Sequence, residues 1–313
     1  MSRFANLTIA QAMRLFEQAL YSELAVVQDI GEARAESRLA LAWAMDIEFE
    51  RLALTMQHRV DARGAERLEG VLAGRARREP LQYLLGEAGF MDLVLSVGPG
   101  VLIPRADTEV VAQCALDSIA SKITIKSLAS VRILEIGPGT GAICIFILRR
   151  LANLGITASA TAIDISPQAV DATRKNALRL GLQNLEVIEG DYLEVLSRAG
   201  NKDLESFDLI VSNPPYIPST DIEGLAPEVR EHEPHLALCG SGSDGLGFYR
   251  DFASFFPRCR ATAHADIVVE HGDGQSKDIE QIFVAAGYGL RERVSDLGQR
   301  LRALSFEAPE KNI

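Results

Sequence analysis

No apolar run in the 313 residues approaches the roughly 20 needed to cross a bilayer, so no membrane-spanning segment is expected. Met1 to Leu20 mixes Arg14 and Glu17 into its apolar positions. It lacks the basic start, apolar block and small-residue cleavage site of an export signal, and a cytoplasmic location is the default expectation. Cysteine is scarce. Cys114, Cys144, Cys239 and Cys259 show no paired spacing, which fits neither a disulfide framework nor a zinc site; buried free thiols are expected. His232 and His235 lie three apart, but Pro234 interrupts any helix that would align them and no third ligand stands at a recognisable spacing, so no metal is expected. No Ser-His-Asp or Cys-His arrangement declares itself. Basic residues are outnumbered, 32 against 43 acidic, for a net charge of −11. Proteins that grip a phosphate backbone are usually basic. Direct nucleic-acid binding is therefore not expected, although Arg75, Arg77 and Arg78 form a modest basic cluster. An acidic chain suits a basic protein partner through steering.

What is present is an ordinary soluble composition, 47% apolar and 24% charged, at a length that accommodates two domains. The first eighty residues read as helices. Thr8 can cap a helix through Ala12, Leu15, Phe16, Ala19 and Leu20. A second stripe includes Leu39, Leu41, Trp43 and Met45, and a third segment, Ala65 to Arg78, places Leu68, Val71 and Leu72 on one face. Composition changes at Glu79-Pro80, since Pro80 disfavours helix before it. Phe90 to Val97 reads as a strand within a glycine-punctuated, hairpin-like stretch. The expected division is a helical domain over 1–85, a connector over 86–106 and an α/β domain over 107–313.

In that last part strands and helices alternate. Strands are expected at Val131–Ile136, Ala160–Ile165, Leu185–Glu189, Phe207–Ser212, Asp266–Glu270, Gly289–Val294 and Leu301–Phe306. Helices are expected at Ala142–Leu154 and at Pro167–Leu180, the second opened by an N-cap, Ser166, with proline at the first turn. Such alternation implies a mostly parallel sheet covered on both faces. The short turn Ser295–Arg300 lets the last two strands pair antiparallel. Ile217 to Gly245, rich in Pro, Glu and Gly and without clear periodicity, reads as a mobile loop over the site.

Three motifs carry the chemistry. Glu135-Ile136-Gly137-Pro138-Gly139-Thr140-Gly141 ends a strand and opens a helix, where glycine lets backbone approach a ligand closely. Alone it could be any tight turn. One residue, Thr140, separates the last two glycines where the dinucleotide fingerprint has two, and Pro138 removes an amide donor; both favour a nucleoside without a diphosphate. Asp164 ends the next strand, where a carboxylate can accept both ribose hydroxyls. Asp191-Tyr192 follows the third strand, placed to take an adenine amino group and to pack on its ring; each could also be a surface turn. Asn213-Pro214-Pro215-Tyr216 follows the fourth strand. Two prolines leave an acceptor-rich edge, the Asn213 side-chain oxygen and the Pro214 carbonyl, which suits an NH2 group with two hydrogens to give, while Tyr216 can pack against a planar amide or base.

In this order and spacing the motifs resemble the class I methyltransferases, and the Asn-Pro-Pro-Tyr element is similar to that of enzymes acting on glutamine, adenine or guanine nitrogen. Longer stretches resemble the HemK/PrmC family, the release factor glutamine N5-methyltransferases: Glu79-Pro80-Leu81-Gln82-Tyr83-Leu84-Leu85-Gly86, Leu102-Ile103-Pro104-Arg105 with Asp107-Thr108-Glu109, Pro227 through Leu246, and Glu270-His271-Gly272 with Gln275. Ala106, Pro138 and the Asp296–Arg300 stretch depart from the pattern. The resemblance implies a Rossmann-like domain with a mostly parallel seven-stranded sheet and an antiparallel last strand, beside a small N-terminal helical bundle that recognises substrate. It implies S-adenosylmethionine as cofactor, held by Gly137, Pro138, Gly139, Thr140, Gly141, Asp164, Asp191, Tyr192 and Asn213. Asn213, Pro214, Pro215 and Tyr216 would hold the substrate, with Asn213, Pro214 and Tyr216 as the catalytic group. The implied substrate is the glutamine of the Gly-Gly-Gln motif in class 1 peptide chain release factors. Three alternatives stay open: a nucleic-acid amino-methyltransferase of the N6-adenine type, a ribosomal-protein glutamine methyltransferase, and a non-catalytic cofactor-binding module.

Overall fold

A computed structural model describes residues 2–126, 128, 130–198, 207–256 and 265–307; Cys259 lies outside them. By its internal packing the chain forms two compact units, Met1–Glu87 with Ala226–His232, and Ala88–Leu225 with Glu233–Ile313.

The first unit is helical. Ile9–Gln18 starts at a reciprocal capping box, Thr8 with Gln11. Asp29 caps Ile30–Ala44, and Asp61 caps Ala62–Ala76. Phe4, Ile9, Phe16, Leu20, Leu41, Leu52, Leu68 and Leu72 form one apolar core. The expected stripe over 39–45 is corrected: positions two apart fan around a helix, so Leu41 is buried while Leu39 is exposed. The expected basic cluster is neutralised. Arg75 is buried, bonded to Glu36 at 2.9 Å and paired with Glu228 at 3.4 Å; Arg78 pairs with Glu228, and Arg77 with Glu79.

The second unit opens with a hairpin, β1 (Glu87–Phe90) and β2 (Leu93–Ser96), where one strand over 90–97 was expected; Met91, at φ 52°, and Asp92 make the turn. Seven strands form the main sheet: β3 (Val131–Ile136), β4 (Ala158–Asp164), β5 (Leu185–Glu189), β6 (Leu209–Ser212), β7 (Asp266–Glu270), β8 (Gly289–Ser295) and β9 (Leu301–Glu307). Their order is β5-β4-β3-β6-β7-β9-β8, parallel except for β9, which runs antiparallel to both neighbours. The central strands β3, β6 and β7 are buried on both faces by two clusters, one around Phe146, Ile133 and Leu148, the other around Phe252, Phe283 and Phe306. The chain leaves β3 toward β4 and β5 and returns to β6 on the other side. The carboxyl ends of β3 and β6 therefore meet at the point where strand order reverses, where open α/β sheets bind ligands.

The helices Ala142–Asn153 and Pro167–Arg179 match the expected ones closely, Ser166 capping the second. The long helix Ala106–Lys126 was not foreseen. The stretch 217–245 is not an irregular loop: it contains a 3-10 turn at Ile222–Gly224 and helices at Pro227–His232 and His235–Leu238, and Ile217 bridges to Cys239. Cys239 is half-buried rather than buried, unlike Cys114 and Cys144.

Candidate active site

A cleft opens at the switch point. Of the sequence-derived residues it is lined by Gly137, Pro138, Gly139, Thr140, Asp164, Asp191, Tyr192, Asn213 and Pro215. Gly141, Pro214 and Tyr216 do not line it. Gly141 sits behind as the helix N-cap at φ 80°, where an added Cβ would strike Ile145 and Thr173. Pro214 is buried, and Tyr216 packs half-buried against the aromatic cluster.

The glycine-rich loop is shaped from outside itself. Gly137 and Gly139 have φ of 67° and 58°, and a Cβ added at either would meet nothing within 4 Å, so open space lies in front of the backbone. Thr173 donates to the Gly139 carbonyl at 3.0 Å, and the buried Asn176 donates to the Thr140 carbonyl at 3.0 Å while bonding both backbone groups of Ser96. The hairpin thus braces the loop through the helix Pro167–Arg179.

Asp164 accepts from Gly139 N at 3.2 Å and from Ser166 N at 2.9 Å, one hydrogen bond on each oxygen, which leaves lone pairs on both. Burial raises its pKa, opposed by these backbone donors. Asp191 places Oδ1 on Leu193 N and Glu194 N, capping the short helix Tyr192–Arg198. Tyr192 packs on Phe248, ring centres 5.5 Å apart, and its buried hydroxyl has no partner. An open glycine cradle, a carboxylate with spare lone pairs, an aromatic pair and a solitary hydroxyl together fit an adenine nucleoside.

Beneath the loop, Glu135 is fully buried and accepts from Cys144 N at 3.0 Å. Burial pushes its pKa up to about 7, the Cys144 hydrogen bonds opposing this and Asp164 adding to it. An acid with a raised folded pKa stabilises the fold below its unfolded value of 4.5, and that contribution is lost as pH rises toward about 7. The rise corresponds to roughly 3 kcal/mol. Glu135→Gln, which keeps an acceptor for Cys144, should therefore gain on wild type by that order between about pH 5 and about pH 8 in denaturant unfolding. Parallel pH dependences of the two proteins would contradict it.

The Asn-Pro-Pro-Tyr end of the cleft rests on residues the motifs did not single out. Asn213 Nδ2 donates to Thr108 Oγ1 at 3.0 Å. The Tyr216 hydroxyl reaches Glu270 at 3.5 Å. Gln275 ties the Tyr216 carbonyl to Gly272 N, donating at 2.9 Å and accepting at 2.9 Å. The buried Glu233 accepts from Ile103 N and pairs with Arg105, which joins the Ile-Pro-Arg segment to the Glu233-Pro234 turn. His271 does not line the cleft; it is fully buried with Nδ1 on the Gly272 carbonyl. Thr108, Arg105, Glu135, Leu236 and Phe248 line the cleft and were missed as site residues. Thr108, Arg105 and Glu135 stood inside recognised motifs, whereas nothing local marked Phe248.

The model of a methyltransferase domain matches residues 127–236, and that of the PrmC N-terminal domain matches residues 18–86. A release factor glutamine methyltransferase of Agrobacterium fabrum is 34% identical over 278 residues, covering 88% of this chain and 91% of its own. One of Geobacter sulfurreducens is 36% identical, covering 83% of this chain and 84% of its own. One of Bradyrhizobium diazoefficiens is 33% identical, covering 96% and 95%. With the parallel sheet, the glycine cradle and the Asn-Pro-Pro-Tyr edge already in place, this likeness over nearly the whole length settles the assignment: the chain belongs to the release factor glutamine methyltransferase family.

Proposed function

We infer that this protein transfers a methyl group from S-adenosylmethionine to the side-chain amide nitrogen, N5, of the glutamine in the Gly-Gly-Gln motif of class 1 peptide chain release factors. The observation that carries this reading is the Asn213 amide. Its nitrogen is bonded to Thr108, which leaves its oxygen as the acceptor toward the cleft that Asn213 lines; the carbonyl of Pro214, next along the chain, is the second acceptor of this reading. Two acceptors side by side suit a primary amide, which has two hydrogens to give.

When bound, the cofactor supplies a methyl group already activated by its sulfonium charge. Gly137 and Gly139 would admit it against bare backbone, the free lone pairs of Asp164 would take the ribose hydroxyls, and Tyr192, Phe248 and Asp191 would hold the base. Asn213 and Pro214 would bind the two amide hydrogens of the glutamine and so orient its nitrogen. Catalysis is chiefly positioning in a water-poor cleft. Asp164→Ala should weaken cofactor binding by roughly 1–3 kcal/mol, since it orphans two hydroxyls and frees Gly139 N. Calorimetry finding unchanged affinity would remove Asp164 from the site.

The helical unit is assigned to recognition of the release factor, because every cofactor motif lies in the other unit. The pairing of Arg75, Arg77 and Arg78 with carboxylates leaves that cluster poorly suited to a phosphate backbone. None of the described helices is long and apolar enough to cross a membrane. A substrate from the translation apparatus places the enzyme's work in the cytoplasm. The test is to offer methyl-labelled cofactor and the full chain a release factor, a ribosomal protein and adenine-containing DNA in parallel. Label should enter the release factor, with amide exchange slowed in the helical unit when the two proteins are mixed. Label entering DNA or ribosomal protein alone would overturn the reading.

A further inference from the structure

The helix Pro167–Arg179 carries three polar side chains at three-residue spacing, Thr173, Asn176 and Arg179, a spacing that sets neighbours on one helix face. All three reach the backbone of other elements. Thr173 donates to the Gly139 carbonyl at 3.0 Å, and Arg179 donates to the Val94 carbonyl in β2. Asn176 stands between them and bonds both ways. Its Nδ2 gives one hydrogen to the Thr140 carbonyl and the other to the Ser96 carbonyl, each at 3.0 Å, and its Oδ1 accepts from Ser96 N at 2.7 Å.

Asn176 is fully buried, so bulk water does not compete for these bonds. A primary amide has two hydrogens to give and an oxygen to receive, and this one uses all of them. Aspartate has the same shape but no hydrogen for either carbonyl. The glycine-rich loop depends on such outside support. A Cβ added at Gly137 or Gly139 would meet nothing within 4 Å, so no side chain packs there to fix the loop. Asp164 holds Gly139 N, and the helix holds the carbonyls of Gly139 and Thr140. Gly139 and Thr140 line the cleft, whereas Thr173, Asn176 and Ser96 do not. One planar, buried amide therefore spans from the cofactor cradle to the end of the β1–β2 hairpin.

We propose that Asn176 is a positioning residue that couples the cofactor cradle to the hairpin, so that filling the cradle also firms the hairpin. The cofactor orders the loop, the loop holds the Thr140 carbonyl in place for Asn176, and Asn176 then holds both backbone groups of Ser96. Linkage makes the coupling reciprocal: cutting it at Asn176 weakens cofactor binding.

The test uses the full chain with S-adenosylhomocysteine, the demethylated cofactor, so it does not depend on which nitrogen is methylated. Hydrogen exchange of the segment 93–97 is followed by mass spectrometry, without ligand and at saturation, where differences in affinity drop out. In the wild type, saturation should slow exchange in 93–97 by about fivefold or more. In Asn176→Ala the glycine-rich loop, 137–141, should still slow while 93–97 does not respond, and calorimetry should find Kd raised by about tenfold. Thr173→Val is the control. It cuts a tie to the loop without touching the hairpin, so its Kd should rise while 93–97 still responds. Exchange in 93–97 indifferent to ligand in the wild type would overturn the proposal, and that comparison stands alone if Asn176→Ala does not fold. An equal response in Asn176→Ala, an unchanged Kd in that variant, or a response lost equally in Thr173→Val would overturn it as well.

Discussion

Asn213→Ala should lower kcat for release factor methylation by about 10²–10³ while the unfolding temperature changes little. A glutamine amide is a poor nucleophile because its nitrogen lone pair is delocalised into the carbonyl. The enzyme has to hold that nitrogen in line with the methyl group and let it pyramidalise. In the proposed mechanism Asn213 Oδ1 and the Pro214 carbonyl do both by taking the two amide hydrogens, contacts that would strengthen as the nitrogen gains positive charge. Stability depends far less on this residue. It is half-buried, and among the described residues its side chain makes one hydrogen bond, to Thr108. Asn213→Asp keeps an acceptor toward substrate but loses the amide hydrogen that Asn213 gives to Thr108. Partial activity at most is expected from it. An Asn213→Ala enzyme that turns over release factor at the normal rate would remove the Asn-Pro-Pro-Tyr edge from the mechanism.

Gly245→Ala should be nearly as damaging from outside the cleft. Gly245 has φ 74°, in the left-handed region, and an added Cβ would sit 3.0 Å from the Tyr216 carbonyl carbon, closer still to its oxygen, and 3.2 Å from Pro218 N. These are backbone atoms of the segment that carries Asn213 to Tyr216, and no side-chain rotation relieves the clash. The same Tyr216 carbonyl accepts from Gln275, so the segment is held from two sides and has to shift as a body. A displacement near 1 Å of a positioning group costs about 10² in rate. The left-handed conformation itself costs about 1–2 kcal/mol for alanine. The control is Gly155→Ala, at φ 72° with nothing within 4 Å of the added Cβ, which carries the conformational cost alone. Gly245→Ala should lose activity well beyond its loss of stability, whereas Gly155→Ala should lose only stability. Equal activities in the two folded variants would contradict the assigned role of the contact.

The parts of this molecule with strong local periodicity were legible in the sequence. Val131–Ile136 and Asp266–Glu270 are buried apolar runs that no amphipathic helix would show, and the Ser166-Pro167 pair marks a helix start whatever surrounds it. The helix Ala106–Lys126 was harder. Its buried residues Val111, Ala112, Cys114, Ala115 and Ile119 do have helical spacing, but apolar residues also fall on its other faces and blur the pattern. Pro227–His232 and His235–Leu238 span fewer than two turns each, too short for a period to register, and owe their helical form to the packing around them.

The site divides the same way. Glycine cradle, Asp164 and Asn213 are set by strand ends, so order and spacing along the chain reveal them. Thr108 meets Asn213, and Glu270 meets Tyr216, only through the packing of the helix Ala106–Lys126 and the sheet order β6-β7. Asn176, which holds the glycine-rich loop by the Thr140 carbonyl, reads in sequence as one more polar residue of a helix. Phe248 comes to Tyr192 from beyond the 217–245 stretch, with nothing local to announce it.

The most direct measurement is the position of the transferred methyl group. The full chain is incubated with S-adenosylmethionine and an unmethylated release factor, and the product is digested and sequenced by tandem mass spectrometry. The account predicts one added methyl, on the side-chain nitrogen of the glutamine in the Gly-Gly-Gln motif, absent when Asn213→Ala replaces the wild type. A methyl group on any other residue, or on that glutamine with Asn213→Ala at full rate, would contradict it.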